Sequence, residues 1–248
     1  MAPMKNSRTD ACCAINDVSN EIYVMGGVIN DQDTASCEKL DISRNKWSQL
    51  PPLNEAKNLM TSLIINNSHL YVFGGACGAS HEIDLTYQSV SIEVLDLHPN
   101  SKENFIWDLL QVRLQLPLWG IGALELSKGK IMLFGGSDRM CESQDVFILE
   151  INHQEAKETQ YELKRLKTRL PEPDWFYHYG VGMRDPENLE HLHILGERRV
   201  HVFDLKRLEF AYCLDAEEAF KIGEDNSAKK ASDENEMSNS MDPQEIRD

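Results

Sequence analysis

The dominant pattern in the chain is an apolar run ending in a Gly pair, then a polar loop, then a second run of β-branched and aromatic residues. Lys130 to Ile151, KIMLFGGSDRMCESQDVFILEI, shows it whole. Two antiparallel strands joined by a glycine-hinged turn read this way. The same signature stands at IYVMGG (Ile22 to Gly27) and LYVFGG (Leu70 to Gly75), and in weaker form at LHILGE (Leu192 to Glu197). Four copies of one supersecondary unit across about 210 residues predict a repeat architecture.

Aligning on the Gly pair extends the repeat. Gly27 is followed thirteen positions later by Leu40-Asp41, Gly136 thirteen later by Leu149-Glu150, and Gly75 twenty later by Leu95-Asp96, so the second copy carries an enlarged loop. A large aromatic comes next: Trp47 and Phe210 stand seven positions after Leu40 and Phe203, and Trp107 and Tyr161 twelve after Leu95 and Leu149. Leu-Pro steps follow three of these aromatics, at Leu50-Pro51, Leu116-Pro117 and Leu170-Pro171. Each unit is therefore expected to hold four extended segments. In the second copy they run near 62–66, 69–73, 90–96 and 104–109; the first copy opens with a strand near 11–15 and the last closes with one near 210–214. The stretch 153–169, HQEAKETQYELKRLKTR, has the Ala, Glu, Lys and Leu content of a helix. The strand near Tyr161 is the reading kept against it.

The apolar run with Gly-Gly, the downstream apolar-acidic pair and the Trp seven positions later resemble the Kelch repeat. The resemblance implies an all-β fold, a Kelch-type β-propeller of about four blades, each of four antiparallel strands. It covers repeats at about 8–56, 57–117, 118–176 and 177–214, within a domain spanning 1–214. Its structural residues are Gly26, Gly27, Gly74, Gly75, Gly135, Gly136 and Gly196, with Trp47 and Trp107 expected to pack between blades. In the fourth copy Glu197 takes the place of the second Gly and Phe210 that of the Trp. Kelch propellers generally close with more blades than four, so an incomplete ring is expected, completed by another chain or by self-association. A closed four-blade ring is the alternative.

Composition narrows the function. No apolar run approaches the roughly 18 residues of a membrane span, and the start, MAPMKNSRTDACCAIND, has two cations without an apolar stretch behind them. A soluble chain of cytoplasmic or nuclear setting, without a secretory signal, is expected. Six cysteines, at 12, 13, 37, 77, 141 and 213, form no CxxC pair, so free thiols are expected. A formal net charge of −16 opposes nucleic-acid binding. Residues 215–248 are read as an acidic, mostly disordered tail: the opening DAEEAFKI is compatible with a short helix, and 223–248 is rich in Asn, Ser, Asp and Glu.

Candidate chemistry is sparse. Kelch folds include copper enzymes of the galactose-oxidase type, so an enzyme or small-molecule binder using the central pocket is the alternative reading. His191 and His193 share a strand face by period-two spacing, with His201 across a turn. No ligand is placed to complete a set, so no metal, cofactor or catalytic residue is assigned, and no phosphate loop, nucleophile elbow or HExxH is present. The principal reading is a non-catalytic protein-interaction module or adaptor. In an antiparallel meander the linker entering strand one and the loop between strands two and three emerge at one end. That gathers Trp119, the run Trp175, Phe176, Tyr177, His178 and Tyr179, and the loop residues His81 and Tyr87 onto one face for a protein partner. Family members include substrate receptors of ubiquitin ligases, but these 248 residues leave no room for a BTB or F-box domain.

Overall fold

The structure is a computed structural model that describes residues 2–78, 87–98, 105–115, 118–138, 141–152, 159–174, 181–184 and 190–215. No described residue is helical; the chain folds into four antiparallel four-stranded sheets. The first sheet contains β1 (Cys12–Asn16), β2 (Glu21–Met25), β5 (Cys37–Asp41) and β6 (Lys46–Leu50), with the small hairpin of β3 (Val28–Ile29) and β4 (Gln32–Asp33) on its central loop. The second contains β7 (Thr61–Ile65), β8 (His69–Phe73), β11 (Ile92–Asp96) and β12 (Trp107–Leu109), and its loop carries β9 (Ala76–Cys77) and β10 (Tyr87–Gln88). β13 (Gly122–Ser127), β14 (Lys130–Phe134), β15 (Asp145–Asn152) and β16 (Gln160–Arg169) form the third, and β17 (Val181–Arg184), β18 (His191–Leu195), β19 (Arg199–Asp204) and β20 (Glu209–Asp215) the fourth.

Each sheet is a blade of meander order. The expected strands are found, with ends trimmed by local hydrogen bonding. β7 stops at Ile65 because Asn66 and Asn67 take left-handed backbone (φ 52° and 55°) in the turn to β8, a conformation Asn tolerates. β11 begins at Ile92, not Val90, because the Ser91 N–H donates to the Ser89 hydroxyl (3.1 Å) rather than to a neighbouring strand. The helix-compatible stretch ends as the ten-residue β16, whose side chains are half-buried at nearly alternate positions. The long apolar β15 supplies a paired edge for it, and the ladder from Asn152 to Asp145 outweighs propensity.

Alternation decides what each blade face meets. Tyr23, Met25, Cys37 and Leu50 of the first blade pack on Leu70, Val72, Leu95 and Trp107 of the second. The second blade's opposite face, with Tyr71, Phe73 and Val94, packs on Ile131, Leu133, Phe147 and Leu149. A third cluster joins Met132, Phe134 and Ile148 to Leu192, Ile194 and Phe203 of the fourth. The strands β1, β7 and β13 lie side by side at the hub, whereas the third and fourth blades meet at their outer strands, β16 and β20. Among the described residues no apolar cluster joins the fourth blade to the first. The result is an open arc, an incomplete propeller. The 215–248 stretch lies, beyond Asp215, outside the described residues.

Two expectations need correction. Trp47 does not pack between blades: it lies on the first blade's outward face, in register with Leu40 and Ile22, and among the described residues no other blade covers that face. It is half-buried, and its indole N–H donates to the Ala2 carbonyl (2.8 Å). Trp107, by contrast, is buried in the first-to-second junction and donates to the Pro51 carbonyl (3.0 Å). Gly196 is not a left-handed hinge either. Its N–H donates to the Arg199 carbonyl (2.8 Å) in a three-residue turn.

Candidate functional site: the loop end of the arc

The linkers and central loops meet at one end of the blades. Thr9 bridges Val28, Asn58 bridges Ala76, and Trp119 bridges Ser137, so each linker runs beside the loop of the blade it enters. Asp10, Leu59 and Gly120 repeat one left-handed conformation (φ 54°, 54° and 64°). They form a staircase across three blades: the Leu59 N–H donates to the Asp10 carbonyl (2.9 Å) and the Gly120 N–H to the Leu59 carbonyl (3.1 Å). The Gly pairs lock this platform. The Gly74 N–H donates to Ser91 within its own blade (3.0 Å), while Gly75 donates to the Leu118 carbonyl on the linker to the next (3.1 Å). Both have positive φ (59° and 107°), and a Cβ on Gly74 would lie 2.5 Å from the Leu118 oxygen. Glycine is required there twice over, for dihedral and for space.

Under the platform lie charged pairs that the sequence reading missed. Arg8 and Glu38 are paired at 2.6 Å with side chains 1% and 3% exposed. Lys57 and Glu93 are paired at 2.7 Å, both fully buried. The Asn54 backbone and side-chain N–H groups also donate to Glu93 (2.7 and 2.9 Å), as the Lys5 N–H does to Glu38 (3.2 Å). Lys57 donates to the Ser91 hydroxyl (2.8 Å), and Glu55 accepts from both Ser89 and Ser91 (2.7 and 2.9 Å). Burial alone would raise the Glu55 carboxyl, but those hydroxyls and the Lys57 charge outweigh it and hold it below the usual range. A buried charge persists only when paired and hydrogen-bonded. A signal was present: CEKLD and IEVLD place a Glu three residues before the strand-ending Asp, at an inward-facing register otherwise taken by apolar residues.

In the third blade this position is the apolar Phe147, and in the fourth it is His201, fully buried against Asp174 (Nε2 to Oδ2, 3.2 Å) and edge-on to Phe210. The three histidines weighed as ligands are thereby separated. His193 is in register with Val202, whereas His201 is in register with Ile194 on the opposite sheet face. A strand alternation is enough to disperse them.

The loops are tied sideways as well. Asp33 of the first blade accepts from the Asn58 side chain and from the Gly78 N–H (2.7 Å) of the second. Arg198 of the fourth blade donates to Glu142 of the third (2.8 Å) and to the Pro173 carbonyl (3.1 Å). Of the aromatic residues gathered by sequence, Trp119 is half-buried on the platform and Tyr87 lies in β10, in register with Cys77. His81 and the run Trp175, Phe176, Tyr177, His178 and Tyr179 lie outside the described residues.

An arc of four-stranded antiparallel blades, fastened by a linker-and-loop platform, defines the chain as an open β-propeller built from repeats. Comparison with known proteins agrees. A sequence model described as the Kelch motif matches residues 11–54. A stretch of 58 residues, 23% of this chain, is 36% identical to an F-box/kelch-repeat protein of Arabidopsis thaliana, and covers 15% of that protein's length. Both findings support a Kelch-repeat family for the chain.

Proposed function

We propose that the chain is a non-catalytic protein-interaction module that presents its loop end to a protein partner. The observation that carries this reading is the platform. Three linkers and three loops from successive blades are hydrogen-bonded into one rigid surface, and the buried pairs Arg8–Glu38 and Lys57–Glu93 each tie an entering linker to its blade. Rigid display of loops is what recognition requires, because little ordering entropy is lost on binding. A cytoplasmic or nuclear setting fits the free thiols.

The reading is tested by affinity capture with the intact chain and with a Trp175→Ala/Tyr179→Ala variant. Loss of the captured partner with an unchanged thermal melt is expected. Equal capture by both would remove the aromatic run from the interface, and stoichiometric copper or iron in the purified protein would replace the reading by a catalytic one.

The arc's ends belong to the same proposal. The first blade exposes Ile15 (58%) on its outward face, and the fourth exposes Tyr212 (46%). Completion by another chain or by a second copy covers these faces. Light scattering coupled to size exclusion distinguishes the outcomes: a particle of twice the chain mass supports a second copy, a monomer near 28.3 kDa that captures no partner overturns completion.

A further inference from the structure

At the opposite end of the second blade, β8 opens with His69 and β11 closes with Asp96, and these two residues are direct cross-strand partners. Directly opposed side chains in an antiparallel pair project to the same face with Cβ atoms about 4.5–5.5 Å apart. His98 follows Asp96 by two residues, and the turn after β11 brings its ring back onto the pair: His98 Nδ1 lies 2.6 Å from Asp96 Oδ1, and the two imidazole centroids are 5.5 Å apart, edge to face. One donor atom from each of the three lies within 4.8 Å of the other two. The His69 ring is fixed from its other side, since the Ser68 hydroxyl lies 2.8 Å from Nδ1.

We propose that His69, Asp96 and His98 form a binding site for a divalent transition cation of the Zn²⁺ type. Two imidazoles and a carboxylate are the donors such cations prefer over Ca²⁺ or Mg²⁺, which take oxygen shells. Donors held at about 2.0–2.1 Å from a tetrahedral Zn²⁺ are about 3.3 Å from one another. Asp96 and His98 are already closer than that, and the exposed His98 side chain turns without disturbing the core. The Ser68 contact orients His69, as partners of a ligating histidine commonly do. His69 and Asp96 also line a cleft of about 1040 Å³ between the second and third blades, with Asp108, Tyr161 and Glu162, so water reaches the remaining coordination position.

The experiment is titration of Zn²⁺ into the full chain, followed by calorimetry, with Co²⁺ as a spectroscopic stand-in. One equivalent should bind, Co²⁺ should show absorption bands of a nitrogen- and oxygen-ligated ion, and His98→Ala or Asp96→Asn should weaken Zn²⁺ by at least about tenfold, the loss that even a supporting residue can cause. Zn²⁺ should raise the melting temperature of the wild type and not of His98→Ala. His98 is exposed, so this variant remains informative should His69→Ala fail to fold. Exposed Cys13 and Cys141 are competing soft ligands. Zn²⁺ binding that survives His98→Ala but is lost in Cys13→Ser/Cys141→Ser overturns the proposal, as does no binding by the wild type.

Discussion

The second and fourth blades are copies of one unit under opposite demands. The second is clasped on both faces, its buried polar position is a Lys57–Glu93 pair, and its Gly pair donates one N–H inward and one to the next linker. Among the described residues the fourth is clasped on one face. Its polar position is a His201–Asp174 contact, its hinge is reduced to a three-residue turn, and Glu197 occupies the second Gly position without strain. The difference teaches that the repeat motif is a record of neighbours. Where the next linker's carbonyl lies 2.5 Å from a Cβ position, as at Gly26 and Gly74, glycine is obligatory; at Gly196 and Glu197 the backbone is not left-handed.

The largest effect is expected at Lys57. Lys57→Met strands the fully buried Glu93 carboxylate and should cost about 3–5 kcal/mol, measured by urea denaturation, with Lys57→Met/Glu93→Leu recovering much of it. In the fourth blade, Asp174→Asn should cost less, about 1.5–3 kcal/mol, because the amide keeps an oxygen that can accept from the Arg198 and Arg199 N–H groups while the His201 contact is weakened. Similar losses at both sites would refute the distinction.

Next come the two tryptophans. Trp107→Ala should cost about 3–5 kcal/mol, since its ring fills the first-to-second junction. Trp47→Ala, on an uncovered face, should cost less than about half of that. Should Trp47→Ala prove the more damaging, a neighbour must cover that face in solution.

The hinge comparison is smaller and cleaner. Gly74→Ala should lose at least about 1–2 kcal/mol from left-handed backbone alone, with the Leu118 carbonyl contact adding to it. Glu197→Gly should stay within about 0.5 kcal/mol of wild type. A marked gain of stability from Glu197→Gly would show that the fourth hinge also wants left-handed backbone.

Smallest of all, Arg198→Ala should change stability by less than about 1 kcal/mol, because its pairing with Glu142 is half-exposed. Its effect should appear instead as faster amide exchange in the turn between β18 and β19.

Much of this was written along the chain. Periodicity of two, the Gly pairs at 26, 74 and 135 and the aromatic after each third strand fix four-stranded units, because alternation and left-handed backbone are local demands that few residue types meet. They also fix which end carries the loops. Three things were decided only by assembly. A Trp in register is a junction residue at 107 and a half-covered one at 47, since sequence gives the residue its face but not the neighbour on that face. Histidines 191, 193 and 201 look like a cluster in one dimension and stand on opposite faces in three. The pairs Lys57–Glu93 and Asp96–His69 join residues whose proximity is set by the path of a linker and by strand register, and such distances exist only once the blades have paired and docked.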